Sequence, residues 1–163
     1  MKRTAFDNSM CIVITDHSGN LVMAENNLGS FSFLFHDVYS DYGKFIYKLR
    51  DPERGEVLIF RYPRDPSRDF IKRVIAIGGD TIEIKDGRVY LNGQMQTEDY
   101  ILERTRTEYP KVTVPEGTVF VMGDNRNAST DSRRKEIGMV DTRMILGRAY
   151  YVVFPIAEMG KIQ

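Results

Sequence analysis

The stretch DTIEIKDGRVYLNG, residues 80–93, decides the fold class because it predicts a β-hairpin. Asp86-Gly87 stands at its centre, and this dipeptide favours the tight turn that joins two antiparallel strands. A second turn pair, Asn92-Gly93, follows at once. On both sides of the first turn, apolar residues alternate with polar ones, as on a strand with one buried face. These apolar positions are Ile82 and Ile84 before the turn and Val89 and Leu91 after it.

Further strands are predicted on either side of this hairpin, in apolar runs rich in β-branched and aromatic residues. The Pro- and Asp-containing loop RDPSR, residues 64–68, suits a hairpin connection between the first two of them. The polar stretch 97–117 carries two prolines and is predicted to leave the sheet. Helix is scarce, with a single turn predicted at 143–147. The predicted fold is therefore mostly β and antiparallel, with strands at 56–63, 69–78, 118–122 and 147–155.

Composition excludes several classes of function. The 163 residues carry 23 basic and 23 acidic side chains, so bulk electrostatic binding to nucleic acid is not expected. With one cysteine, Cys11, and two histidines, His17 and His36, no zinc-binding pattern occurs and no metal or other cofactor is predicted. No apolar run reaches 18 residues, so we expect no transmembrane segment and a soluble chain.

A candidate catalytic group lies in the strand DFIKRVIAIG, residues 69–78. Alternation places Lys72 on the face of Phe70, Val74 and Ala76, and Arg73 on the face of Ile71, Ile75 and Ile77. Both faces are apolar, so one cation is predicted to lie among apolar neighbours. Burial lowers the pKa of a lysine and can make it a proton acceptor, which arginine cannot become. The alternative is that Lys72 extends its amine to solvent over an apolar stem.

A polar loop, GDNRNASTDSR at residues 123–133, follows directly on a predicted buried strand. It has neither helical nor strand periodicity. A loop anchored to a rigid element is a common place for functional side chains.

These two segments together resemble the type I signal peptidases, the bacterial leader peptidases that remove signal peptides from exported proteins. The resemblance covers residues 44–155 and includes RDFIKRVIAIGGDTIEIKDGRVYLNG and VPEGTVFVMGDNRNASTDSR. It implies a serine nucleophile with a lysine general base and a coiled, β-barrel-like antiparallel core with a small variable β insertion. By matching position, Lys72 would be the base and Ser129 would orient it. The substrate-binding residues would be Asp69, Phe70 and Ile71, and the ion-pair scaffold Asp124, Arg126, Asp131 and Arg133.

The sequence departs from the family at the nucleophile. Members carry Ser-Met-x-Pro-Thr after a membrane helix, whereas this chain has no proline before position 52. Ser9 keeps the Ser-Met dipeptide, but Ser30 is the better positional candidate, and Ser32 is close to it. A serine in such a Gly- and Asn-rich stretch is ordinarily a turn residue.

The resemblance divides the chain into a divergent N-terminal segment at 1–43, a core at 44–155 with an insertion at about 94–113, and a tail at 156–163. It implies signal peptides of secretory preproteins as partners, together with the membrane surface, and a location at the outer face of the cytoplasmic membrane. One alternative is a non-catalytic relative that binds peptides or assembly partners by strand addition. The other is a self-cleaving Ser-Lys repressor-type protein, for which no DNA-binding segment is visible.

Overall fold

The computed structural model describes residues 11–15, 21–25, 51–154 and 160–162. Their strands form two antiparallel sheets, which confirms the predicted mostly β fold. The larger sheet has the order β10-β9-β4-β3-β11-β1-β2, with β12 also paired to β11, and the smaller has the order β7-β6-β5-β8. The strands are β1 (Cys11–Thr15), β2 (Leu21–Glu25), β3 (Val57–Tyr62), β4 (Asp65–Ile77), β5 (Thr81–Lys85), β6 (Arg88–Leu91), β7 (Gln94–Met95), β8 (Tyr109–Thr113), β9 (Thr118–Met122), β10 (Val140–Asp141), β11 (Ile145–Phe154) and β12 (Gly160–Lys161).

The predicted hairpin is present as β5 and β6, paired in the expected register. Asp86 and Gly87 have φ angles of 52° and 70°, the left-handed values that a type I′ turn requires. The next turn repeats this arrangement at Asn92 and Gly93, with φ angles of 53° and 80°. The smaller sheet is therefore built largely by local turn chemistry. Its cross-strand apolar pairs are Ile82 with Leu91 and Ile84 with Val89.

The two sheets share one apolar core. Side chains from the smaller sheet pack against the end of β4 and against β9, and burial of this apolar surface stabilises the contact between the sheets. A second cluster fills the other face of the larger sheet around Phe60 and Val121. The members of the shared core are Ile75, Ala76, Ile82, Ile84, Val89, Leu91, Val114, Phe120 and Met122.

A β-bulge in β4 changes the predicted faces of that strand. Against β9, Val74 pairs with Val121 and Ala76 with Phe120, so Ile75 is the extra residue of the bulged strand. As a result Ala76 lies in the shared core with Ile75, while Ile77 packs with the second cluster on the side of Val74. The predicted alternation was right up to Val74 and wrong beyond it.

Two connections also differ from prediction. The turn between β3 and β4 is shorter than RDPSR, because β4 already begins at Asp65. The polar stretch 97–117 leaves the sheet only in part, since Tyr109–Thr113 forms β8 and pairs with β5.

The single helical turn is found as a 3-10 helix at Thr142–Met144. Within the ranges that the structure describes, no helix has the length and apolarity to cross a membrane.

Candidate active site

Lys72 lies in β4, opposite Leu58 of β3. Its side chain is half-buried, and its amine lies 5.2 Å from the centre of the Phe70 ring. Burial lowers the pKa of this amine from the ordinary value of 10.5, against the opposing attraction of the Asp131 and Asp124 carboxylates. Lys72 therefore gives up its proton more readily than a solvated lysine does.

The polar loop 123–133 is tied back to the strand that precedes it. Ser132 exchanges two hydrogen bonds with Val121, its hydroxyl accepting from the Val121 N–H at 2.9 Å and its own N–H donating to the Val121 carbonyl at 3.1 Å. The Gly123 N–H donates to Asp131 at 3.0 Å. The loop is thereby closed into a compact turn at the end of β9, beside Lys72.

Gly123 is the point where Ser129 and Lys72 come together. A Cβ atom added at Gly123 would lie 2.6 Å from Ser129 Cβ, closer still to Ser129 Oγ, and 3.7 Å from Lys72 Cδ. No larger residue fits there without displacing Ser129. The Ser129 hydroxyl is buried and has no hydrogen-bond partner among the described residues, so the structure shows no bond from it to the Lys72 amine. A buried hydroxyl of this kind is uncommon and is a candidate for a functional group.

Two buried ion pairs fix the ends of the loop. Arg73 binds Asp124 through two hydrogen bonds of 2.9 and 2.7 Å, with both side chains 4% exposed. Arg133 binds Asp131 in the same two-pronged manner, at 2.8 and 2.7 Å. Arg133 also donates to the Thr105 hydroxyl and to the Arg126 carbonyl, each at 2.6 Å. Such charge-assisted, paired bonds hold a loop in one geometry.

The third ion pair joins the loop to a segment that is distant in sequence. Arg126 binds Glu98 at 2.8 and 2.6 Å, with side-chain exposures of 1% and 6%. Of the four residues predicted as a scaffold, only Asp131 and Arg133 pair with each other. The partner of Arg126 comes from the connection between β7 and β8.

Over part of its length, the strand that carries Lys72 is paired on one side only by the strands that the structure describes. From Asp69 to Arg73, β4 pairs with β3 on one side. On the other side its pairing with β9 begins only at Arg73. Among the described strands, none therefore pairs with this side of β4 at the predicted substrate-binding residues Asp69, Phe70 and Ile71. Asp69 is exposed, while Phe70 is half-buried and stacks on Tyr62 at 4.8 Å.

The predicted nucleophiles Ser30 and Ser9, with Ser32, lie outside the described residues.

Sequence reasoning missed five residues at the site. Arg73 was noted only as a strand cation, although an aspartate directly after β9 could have suggested its partner. The others have no local signal, because their contacts join residues more than 20 positions apart or depend on close packing. The missed residues are Arg73, Glu98, Tyr100, Thr105 and Gly123.

Comparison with known proteins finds relatives of this chain among the signal peptidases. Residues 36–154 match the family described as signal peptidase, peptidase S26. The chain is 40% identical over 126 residues to a probable signal peptidase I-1 of Synechocystis sp., covering 73% of this chain and 63% of that relative. It is 42% identical over 123 residues to a probable signal peptidase I-2 of the same organism, covering 72% and 55%. The chain thus spans less than two thirds of both relatives.

A crystal structure of a signal peptidase I from Enterococcus faecalis matches with a TM-score of 0.55 and 31% sequence identity. That match covers 61% of this chain and 97% of the solved chain.

Proposed function

Because the chain belongs to the signal peptidase family, peptidase S26, we propose that it is a serine endopeptidase that cleaves signal peptides from exported proteins through a Ser-Lys dyad. The observation that carries the proposal is the state of Lys72. The side chain is half-buried, burial lowers the pKa of its amine, and none of the described strands pairs with one edge of β4 at residues 69–71. A proton acceptor beside an open strand edge suits cleavage of an extended peptide.

In the proposed mechanism, neutral Lys72 takes the proton from the hydroxyl of the nucleophilic serine as that oxygen attacks the carbonyl carbon of the scissile bond. The tetrahedral intermediate then collapses, the C–N bond breaks, and the leaving amine takes the proton from Lys72. Water, deprotonated by the same amine, attacks the acyl-enzyme ester, the ester C–O bond breaks, and the serine oxygen takes the proton back from Lys72. Ser30 is the preferred nucleophile in this proposal, with Ser9 as the alternative. Ser129 orients the Lys72 amine.

The substrate backbone is proposed to pair with β4 at Asp69, Phe70 and Ile71. Strand addition at this edge would supply main-chain hydrogen bonds, while side chains at alternate positions meet the surface beside Phe70. Small residues such as alanine are expected before the cut, and the work is expected to take place at the outer face of the cytoplasmic membrane. No cofactor is required by this mechanism.

The test is a cleavage assay on a detergent-solubilised precursor peptide with alanines before the cleavage site. Lys72→Met should abolish cleavage, because methionine keeps the stem but cannot accept a proton. Ser30→Ala should abolish it as well if Ser30 is the nucleophile, and Ser9→Ala if Ser9 is. If the wild-type chain binds the peptide without cleaving it, the proposed peptidase activity is wrong and the chain is a peptide-binding relative of the family. Full turnover by the Lys72→Met variant would contradict the Ser-Lys dyad mechanism.

A further inference from the structure

Tyr100, in the connection between β7 and β8, lies close to two guanidinium groups of the site. The Cζ atom of Arg73 is 4.2 Å from the centre of the Tyr100 ring, and that of Arg126 is 5.7 Å from it. Both distances are within the range of cation-π attraction. The Tyr100 hydroxyl donates a hydrogen bond to Glu98 at 3.1 Å, and burial raises the pKa of this phenol, so it stays neutral. One aromatic ring therefore contacts the partners of two buried acids.

Glu98 is the carboxylate that balances Arg126. The pair is almost fully excluded from solvent and doubly hydrogen-bonded. Arg126 is also attracted by Asp124, the carboxylate that Arg73 holds. If Glu98 lost its charge, Arg126 would be drawn towards Asp124 and would compete with Arg73 for it.

Competition between Arg126 and Arg73 for Asp124 would change the charges near Lys72. Arg73 is its neighbour in β4, and Asp124 and Asp131 are the carboxylates that favour its protonated form. The facing segment of β3 contributes Leu58, which carries no charge. Within the described part of the chain, the ion pairs linked to these carboxylates come from β4, from the polar loop and from the β7–β8 connection. They are Arg73 with Asp124, Arg133 with Asp131, and Arg126 with Glu98.

We propose that Glu98 and Tyr100 are positioning residues for the general base: by holding Arg126 and Arg73 in place, they keep Asp124 paired with Arg73 alone and keep the polar loop seated beside Lys72. The proposal rests on the proposed function for the role of Lys72. It assigns to the β7–β8 connection a part in setting the proton affinity of the active-site amine.

The test substitutes Glu98→Gln, which keeps the shape of the side chain and removes its charge. An unbalanced Arg126 disfavours a second cation nearby, so the pH of half-maximal kcat/KM should fall by about half a unit. Loss of loop seating should lower kcat at the plateau by about tenfold to a hundredfold. Tyr100→Leu should lower kcat similarly, while Tyr100→Phe, which keeps the ring, should retain most of it.

Glu103→Gln is the matched control on the same connection. Glu103 is about half exposed, and its partners Arg106 and Asn127 are exposed as well, so loss of its charge should move neither kcat nor the pH profile. If Glu98→Gln shows the pH profile of the Glu103→Gln control, the positioning role is wrong. Lys72→Met in the same assay tests the dyad separately, so the two failures are distinguishable.

A readout without turnover keeps the inference testable if the chain does not cleave the peptide. The rate at which a small amine-reactive reagent modifies Lys72 is measured as a function of pH by peptide mass spectrometry. Glu98→Gln should shift this rate curve to lower pH. If Glu98→Gln misfolds, the double variant Glu98→Gln/Arg126→Gln removes both charges of the pair. Its Lys72 curve should match that of wild type, and a curve shifted as far as expected for an unbalanced Arg126 would overturn the proposal.

Discussion

The same three-residue pattern, acid-hydroxyl-arginine, occurs twice in this chain with opposite surroundings. Asp131-Ser132-Arg133 ends the polar loop, and Asp141-Thr142-Arg143 begins the 3-10 helix. Both form an ion pair between the first and third residues, at 2.7 and 2.5 Å. In the first pair the acid and the arginine are 0% and 4% exposed, and in the second 33% and 88%.

The difference lies in what each pair is bound to. Asp131 also accepts from the Gly123 N–H, and Arg133 also donates to Thr105 and to the Arg126 carbonyl. Asp141 accepts from the Arg143 N–H and caps a short helix at the surface. A local pattern can therefore specify an ion pair, but its energetic weight depends on burial and on the additional hydrogen bonds that tertiary structure supplies.

The contrast between the buried and the exposed ion pair should have its largest effect on the free energy of unfolding. Asp131→Asn should lower the free energy of unfolding by about 3 to 5 kcal/mol, because it leaves the Arg133 cation buried without its acid. Asp141→Asn should leave the melting temperature nearly unchanged, because water screens that pair. Calorimetry of both variants measures the difference, and equal losses would show that burial does not separate the two patterns.

A glycine comparison sharpens the contrast between packing and backbone conformation. Gly123→Ala should cost about 2 kcal/mol and displace Ser129, because the new Cβ atom overlaps that side chain. Gly93→Ala meets no atom within 4 Å and should cost only the strain of its left-handed φ, about 1 kcal/mol. Gly93→Ala should keep full activity, whereas Gly123→Ala should lose most of it. An active Gly123→Ala variant would contradict the close approach at Ser129.

The middle residues of the two patterns give the smallest effect. Ser132→Ala should lower the free energy of unfolding by about 1 kcal/mol, because the buried Val121 N–H loses its acceptor. Thr142 is half-exposed in the helical turn, so Thr142→Ala should change stability less. Denaturant unfolding of the two variants side by side checks this order, and a larger loss in Thr142→Ala would reverse it.

Much of the fold could be predicted because it is encoded locally. Asp86-Gly87 and the alternating residues around it specify turn, register and buried face together. The bulge at Ile75 could not be predicted, because it arises where β4 both pairs with β9 and packs side chains into the shared core. It changed the faces of Ala76 and Ile77.

The site was predictable only in part, for a related reason. Lys72 and the polar loop occupy recognisable segments, but the partner of Arg126 lies 28 residues away in a connection without periodicity. Charge patterns in sequence do not specify which acid meets which base when the contact is nonlocal. The Ser129 hydroxyl is buried beside Gly123, yet its orienting role stays a prediction, as do the nucleophile Ser30 and the domain boundaries.

The central claim is that burial makes Lys72 a general base, and the pH dependence of kcat/KM on the alanine-containing precursor peptide tests it most directly. A lowered pKa means that the amine loses its proton at a lower pH than an ordinary lysine does, so activity is absent at acidic pH and rises as the amine becomes neutral. The account predicts a half-maximum below pH 10.5, with no activity in Lys72→Met at any pH. A half-maximum at or above pH 10.5, or a Lys72→Met variant that cleaves with the wild-type profile, would contradict it.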